Sequence, residues 1–157
     1  MLHPPVTHFA VVLPIISLVL GLAYLYKPSA LMSKISTRFM VVATLFLAVA
    51  FFTGKGDASD VYIFLTGEGQ TLLKEHKNIG LYLMVAMALV TIIKLIGCTK
   101  NIFKAEVVAI LLLALVTAGV LYQGKMGGEI TYKHGANVEN HSDGLECLDD
   151  PEEFLEE

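Results

Sequence analysis

Tryptophan is absent from this sequence, and cysteine is scarce, with two residues at Cys98 and Cys147. Neither cysteine belongs to a CxxC or CxxCH pattern, which excludes a local cysteine-based zinc site and covalent attachment of c-type haem. Neither a Ser-His-Asp order nor an HExxH helix motif is present, so the sequence offers no support for hydrolytic activity.

Charged residues make up only 17% of the chain, whereas hydrophobic residues make up 55%. An ordinary soluble domain is roughly 45–50% apolar, and the mean hydropathy of +0.65 also exceeds what such a domain shows. The net charge of −4 arises mostly after Glu139, so a nucleic-acid partner is not expected. The composition predicts a membrane protein whose main partner is the lipid bilayer.

Four apolar segments are each near the length needed to cross a hydrocarbon core of about 30 Å. They are residues 9–26, about 39–54, about 79–96 and about 105–122. We therefore predict an all-α integral membrane protein, a four-transmembrane-helix bundle with both termini on the same side. Residues 1–138 form this domain with structured outer loops, and residues 139–157 form an acidic, disordered tail.

The segments between the spans are expected to be loops. Residues 27–38 form a basic connection, and residues 55–76 form a polar loop in which residues 61–65 make a short interfacial helix ended by Gly67 and Gly69. Residues 123–135 are turn-rich and are expected to fold back over the bundle end. Lys94 is close enough to a span end to extend its ammonium group to the interface.

The basic residues predict the orientation of the four spans. Cations of the two short connections lie close to span ends, where the positive-inside rule is strongest. They are Lys27, Lys34, Arg38, Lys94, Lys100 and Lys104. The short connections are therefore predicted to be cytoplasmic, and the termini with the 55–76 loop are predicted to be periplasmic or extracellular.

Four of the five histidines fall at this outer face if the chain crosses the membrane four times. These four are His3, His8, His76 and His134. Gly80 follows His76 by one helical turn and removes side-chain bulk beside the imidazole. The carboxylates Asp57 and Glu75 lie in the same outer segments and are further candidate metal ligands. A single interfacial histidine is more often structural, so the hypothesis of a common site depends on the four occurring together.

Neutral imidazoles at a membrane surface favour two kinds of cofactor. One is haem b, with His8 and His76 as axial ligands from different helices. His3 and His134 would then be a second ligand pair or contact the propionates. The residues that would leave room for the ring are Gly80, Leu83, Met84, Ala118 and Gly119. The other is a zinc, copper or iron ion. The third hypothesis is that the protein binds no cofactor and is a purely structural accessory subunit of a membrane complex.

The motifs themselves resemble a known family. Leu-His-Pro-x-x-x-His-Phe begins at Leu2, Thr53-Gly54 is followed by Asp57, and Gly-Gly-x-x-x-Tyr-x-His-Gly-x-x-Val begins at Gly127. Together they resemble the bacterial four-helix membrane family catalogued as domain of unknown function 2231. Ala10 departs from the proline that the family often has there.

The resemblance implies a location in the bacterial inner membrane and a role near electron transfer, because some members are joined to Rieske iron–sulfur or cytochrome c domains. The family histidines would be His3, His8, His76 and His134, and the family acid would be Asp57. Our leading hypothesis is a haem b-binding electron-transfer protein whose partner is a cytochrome c, a Rieske protein or quinone. A homo-oligomer is left open.

Overall fold

The computed structural model describes residues 3–136, and these residues form helices joined by short turns. The helices are α1 (His3–Tyr26), α2 (Ala30–Val61), α3 (Gly67–Lys100) and α4 (Phe103–His134), with a 3₁₀ turn at Tyr62–Phe64. The described part of the chain contains no strand, which confirms the predicted all-α class. The expected disordered tail, residues 139–157, lies outside the described residues.

The four helices pack in a ring, α1 against α2, α2 against α3, α3 against α4 and α4 against α1. Because the connections are short, neighbouring helices run in opposite directions. The start of α1, the end of α2, the start of α3 and the end of α4 share one end, which we call the histidine end. The two short turns, at residues 27–29 and 101–102, form the opposite end, which we call the basic end.

All four helices are long and apolar enough to cross a membrane. Large apolar side chains on their outer faces remain exposed, among them Val19 at 59%, Leu45 at 59%, Leu89 at 58% and Leu115 at 70%. Such a continuous apolar surface is unfavourable in water and matches lipid tails. The four-span prediction is therefore confirmed.

Local signals in the sequence set the ends of the helices. Ser29 accepts a hydrogen bond from the backbone N–H of Met32 at 3.2 Å and so caps the start of α2. Asn101 ends α3 with a φ of 53°, and Gly135 ends α4 with a φ of 70°. At Gly135 the left-handed backbone lets its own N–H bond back to the Thr131 carbonyl and the N–H of Ala136 bond back to the Ile130 carbonyl, a usual way to satisfy a helix terminus.

Three segments that we expected to be loops are helical. Residues 30–38 belong to α2, residues 123–134 continue α4, and Gly67 begins α3 instead of ending a short helix. At the basic end, residues 30–38 are helical because Ser29 caps α2 and the first turns of α2 bury Ser33, Ser36 and Thr37. At the histidine end the reason is a second apolar cluster beyond the span ends, which packs the helix extensions against one another. Its buried members are Leu65, Leu73, Ile130 and Ala136. Burial of this apolar surface stabilises helix where local composition predicted turns.

The expectation that the Lys94 ammonium reaches the interface is wrong. Lys94 is completely buried and forms an ion pair with Glu106, which is 3% exposed. The Glu106 carboxylate also accepts hydrogen bonds from the Tyr24 hydroxyl at 2.8 Å and the Ser33 hydroxyl at 2.6 Å. The Lys94 ammonium lies 4.4 Å from the centre of the Tyr24 ring. One side chain from each helix thus meets at Glu106 near the basic end.

Candidate polar site at the histidine end

His3, at the start of α1, is held against a glycine of α2. A Cβ atom added to Gly54 would lie 2.6 Å from Cε1 of the His3 ring, so only glycine leaves space for the imidazole there. Nδ1 of His3 is 3.5 Å from the Thr53 hydroxyl oxygen. The His3 imidazole therefore packs on the backbone of Gly54, and a larger residue there would force the ring to turn away.

His76 is the corresponding imidazole of α3, and it lies against α4. The Gln123 side-chain amide donates a hydrogen bond to the His76 carbonyl oxygen at 2.6 Å. Cε1 of the ring is 3.4 Å from the position that a Cβ atom on Gly127 would take. His3 and His76 both lie at the histidine end, His3 against Gly54 of α2 and His76 against Gly127 of α4. The structure thus places two of the four predicted histidines inside the same end of the bundle.

Three buried polar atoms at the histidine end have no hydrogen-bond partner within residues 3–136. They are Oδ2 of Asp57, Nδ1 of His76 and Oε1 of Gln123. Each comes from a different helix, and Asp57 lies one turn beyond Gly54 on the same face of α2. Buried polar atoms are normally bonded to protein, water or ligand, so three in one region give it unused capacity to bind a small polar species.

The other two histidines lie elsewhere. His8 is exposed, and its Nδ1 is 2.9 Å from the Pro4 carbonyl oxygen of its own helix. His134 packs over Gly69, where an added Cβ would lie 3.1 Å from the imidazole Cγ. It is seven residues beyond Gly127, which places it about 10 Å further along the axis of α4. The structure therefore does not bring His8 and His134 to the level of His76.

The space that we expected for a porphyrin ring is filled. A Cβ on Gly80 would meet the Gln123 amide nitrogen at 3.1 Å and the Phe51 ring at 3.7 Å. A Cβ on Gly119 would meet Leu83 at 2.6 Å. These glycines bring helices close together, as small residues commonly do in membrane bundles. The small residues expected to leave a slot therefore serve close packing of the helices.

The donors expected for a metal ion are not at ligand spacing in the structure. Among residues 3–136, no group of three histidine, cysteine, aspartate or glutamate side chains is placed to hold one. Glu75 is exposed and lines an open cleft of about 350 Å³ on the outer surface of α3, together with Glu68 and Thr71. Glu75 is thus apart from the buried polar atoms, whereas Asp57 is among them.

Gln123 is the residue of this site that sequence reasoning missed. It follows the fourth apolar segment directly, in a stretch whose composition predicts a loop, and an amide in a loop does not by itself indicate a site. A helix that continued past Tyr122 would have pointed to a polar side chain at the level of His76. We name the set His3, Asp57, His76 and Gln123, one side chain from each helix, the histidine-end site.

Comparisons with known proteins agree with this architecture. The family model described as Predicted membrane protein (DUF2231) matches residues 1–140. No curated protein and no solved structure gives a significant match. The match confirms the resemblance seen in the motifs and the membrane character of the chain.

Proposed function

This chain belongs to the DUF2231 family of predicted membrane proteins, and we propose that its histidine-end site binds a zinc, copper or iron ion within the membrane domain. His3, Asp57 and His76 supply the ligands, and Gln123 holds the backbone of His76 in place through its bond to the His76 carbonyl oxygen. One observation carries the proposal: three buried polar atoms from three helices are unpartnered at the end of the bundle where α1 places the His3 imidazole. Imidazole nitrogen and carboxylate oxygen are ligands that these metals accept.

Binding of an ion requires these side chains to move closer to one another. His3 is the first residue of α1 and is in contact with Gly54 through the far end of its ring, so its torsions can change without moving a helix. The free oxygen of Asp57 and the free nitrogen of His76 lose no hydrogen bond within residues 3–136 when they turn to a metal. The rearrangement is therefore confined to side chains.

Haem b with electron transfer is the second candidate. His3 and His76 come from separate helices, α1 and α3, and lie at the same end of the bundle, as an axial pair of haem ligands would. A porphyrin would also require Gln123 and Phe51 to leave the space beside Gly80. Binding of a metal ion requires less rearrangement of side chains than binding of a porphyrin, and we therefore favour the metal ion. A cytochrome c, a Rieske protein or quinone would be the electron-transfer partner in the haem case.

We expect His76→Ala to lower metal affinity by at least about tenfold, since even loss of a group that only orients a ligand costs roughly 10–100-fold. The full chain is purified in detergent, loaded with zinc, copper or iron, and measured by elemental analysis and absorption spectroscopy. His8→Ala is the matched control, because His8 is exposed and bonded to its own helix.

Metal at one ion per chain that is lost in His76→Ala and kept in His8→Ala supports the proposal. A Soret band after haem-supplemented expression would favour haem b as the bound group and would contradict the metal proposal. If the unaltered chain binds neither metal nor haem, the metal proposal is wrong. The hypothesis of a structural accessory subunit would then be favoured.

Gly54→Ala is expected to weaken metal binding severalfold without removing a ligand. The new methyl group would lie 2.6 Å from the His3 ring and must displace it. Gly56→Ala, two residues further along α2, meets nothing within 4 Å and is the matched control. Equal affinities of the two variants, measured by metal titration, would contradict the expectation that the position of the His3 ring on Gly54 contributes to metal binding.

We also propose that the chain lies in the inner membrane of a bacterium with the histidine end facing the periplasm. The support is the placement of the basic residues beside the span ends of the short turns. In a cysteine-free background, Lys55→Cys in spheroplasts is expected to react with a membrane-impermeant maleimide. Lys27→Cys should react only after lysis, and the reverse pattern would overturn this orientation.

A further inference from the structure

The basic end carries uncompensated positive charge. Its exposed cations are Lys27, Lys34, Arg38, Lys100 and Lys104. Within residues 3–136 the carboxylate at this end is Glu106, and it is already paired with the buried Lys94. The remaining described carboxylates belong to the helix segments of the histidine end. They are Asp57, Asp60, Glu68, Glu75 and Glu129.

A cleft of about 240 Å³ opens between the two turns of the basic end. Ser29 and Lys34 line it from the α1–α2 side, and Asn101 and Phe103 line it from the α3–α4 side. Its walls therefore offer an ammonium group, a hydroxyl and an amide. Glu106 also lines the cleft, but its charge is balanced by Lys94 and both of its oxygens accept hydrogen bonds.

Apolar side chains surround this polar cleft. Tyr26 is 92% exposed, Leu31 is 68% exposed and Ile102 is 42% exposed, and all three lie beside the turns. Phe103, which lines the cleft itself, is 47% exposed. A free inorganic anion would make no use of this surface, whereas a molecule with an anionic head and apolar tails would contact both parts.

We propose that the cleft binds the phosphate headgroup of an anionic membrane lipid, with Lys34 as its principal cation and Ser29 and Asn101 as hydrogen-bonding groups. Basic pockets between membrane helices suit such headgroups, because the phosphate charge is neutralised while the acyl chains stay in the hydrocarbon layer. The acyl chains lie along the exposed apolar side chains next to the turns. This site is independent of the histidine-end site.

The test uses the full chain purified in a neutral detergent and titrated with phosphatidylglycerol or phosphatidylcholine. Bound lipid is counted by native mass spectrometry. We expect phosphatidylglycerol to bind in preference to phosphatidylcholine, and Lys34→Gln to lower its affinity by about fivefold, the factor that corresponds to about 1 kcal/mol per basic residue near an anionic surface. Lys55→Gln, an exposed lysine of the histidine end, is the matched control.

Preference for the anionic lipid that falls in Lys34→Gln and persists in Lys55→Gln supports the proposal. Equal binding of the two lipids, or an equal loss in both variants, overturns it. Inorganic phosphate is added as a competitor in a separate arm. Displacement of the lipid by phosphate at equal concentration would show that the cleft recognises a free anion, and the lipid proposal would fail.

Discussion

Lys94→Met is expected to lower the free energy of unfolding by about 3–5 kcal/mol, the usual cost of removing one partner of a buried ion pair. Methionine has a length close to that of lysine, so packing changes little. The Glu106 carboxylate, however, would remain 3% exposed with only the Tyr24 and Ser33 hydroxyls as partners. Those neutral donors cannot balance a full charge in a medium of low dielectric constant.

The double variant Lys94→Met, Glu106→Gln separates this effect from lost packing. The glutamine amide is neutral and can still accept a hydrogen bond from Tyr24, so the double variant should recover most of the stability that Lys94→Met loses. Unfolding is followed in mixed micelles for the unaltered chain, both single variants and the double variant. Losses that simply add would show that Lys94 and Glu106 do not interact energetically, contrary to the structure.

Hydropathy was sufficient to predict the fold class, because four separate apolar segments permit few arrangements in a membrane. It was insufficient for the helix ends. Residues 123–134 contain three glycines and read as turns, yet they are helical because Ile130 packs with Leu65 and Leu73 beyond the span. That contact joins positions more than fifty residues apart, and no local pattern encodes it.

The histidine-end site was partly predictable for the same reason. An even number of crossings places His3 and His76 at one end, whatever the details of packing. Which way an imidazole points depends on the rotation of its helix about its own axis. His3 and His8 are five residues apart, about 140° around the helix axis, so the sequence predicts that they face different ways on one continuous helix. Which of the two faces the bundle could not be derived without knowing which face of α1 contacts α2, and in the structure His8 is the exposed one.

Lys94 and Glu106 could also have been paired from the sequence. They lie on either side of the turn at residues 101–102, seven and five residues from Asn101, so an antiparallel helix pair brings them to about the same depth. Treating Lys94 as an interfacial residue overlooked this symmetry. The two ends of the bundle therefore differ in how their buried polar groups are satisfied. At the basic end the buried charges of Lys94 and Glu106 are paired, whereas at the histidine end three buried polar atoms lack a hydrogen-bond partner within residues 3–136.

Gly97 is the position where the smallest change should disturb the basic end most. A Cβ atom there would lie 2.7 Å from Cγ of Glu106 and 3.0 Å from the Glu106 backbone nitrogen. The second contact is with backbone, so the side chain of Glu106 cannot relieve it by changing its torsions. The close approach of α3 and α4 thus depends on the absence of a side chain at Gly97.

Gly97→Val is accordingly expected to lower the free energy of unfolding by about 2–3 kcal/mol, in the upper part of the range for overpacked sites. Gly128→Val is the matched control on α4, since nothing lies within 4 Å of its added Cβ, and it should change stability little. Because Gly97→Val displaces Glu106, it disturbs the same ion pair as Lys94→Met. A variant that carries both Gly97→Val and Lys94→Met should therefore lose less stability than the sum of the two single losses. Equal stability of the Gly97 and Gly128 variants in mixed micelles would mean that α3 and α4 are not in contact at this depth.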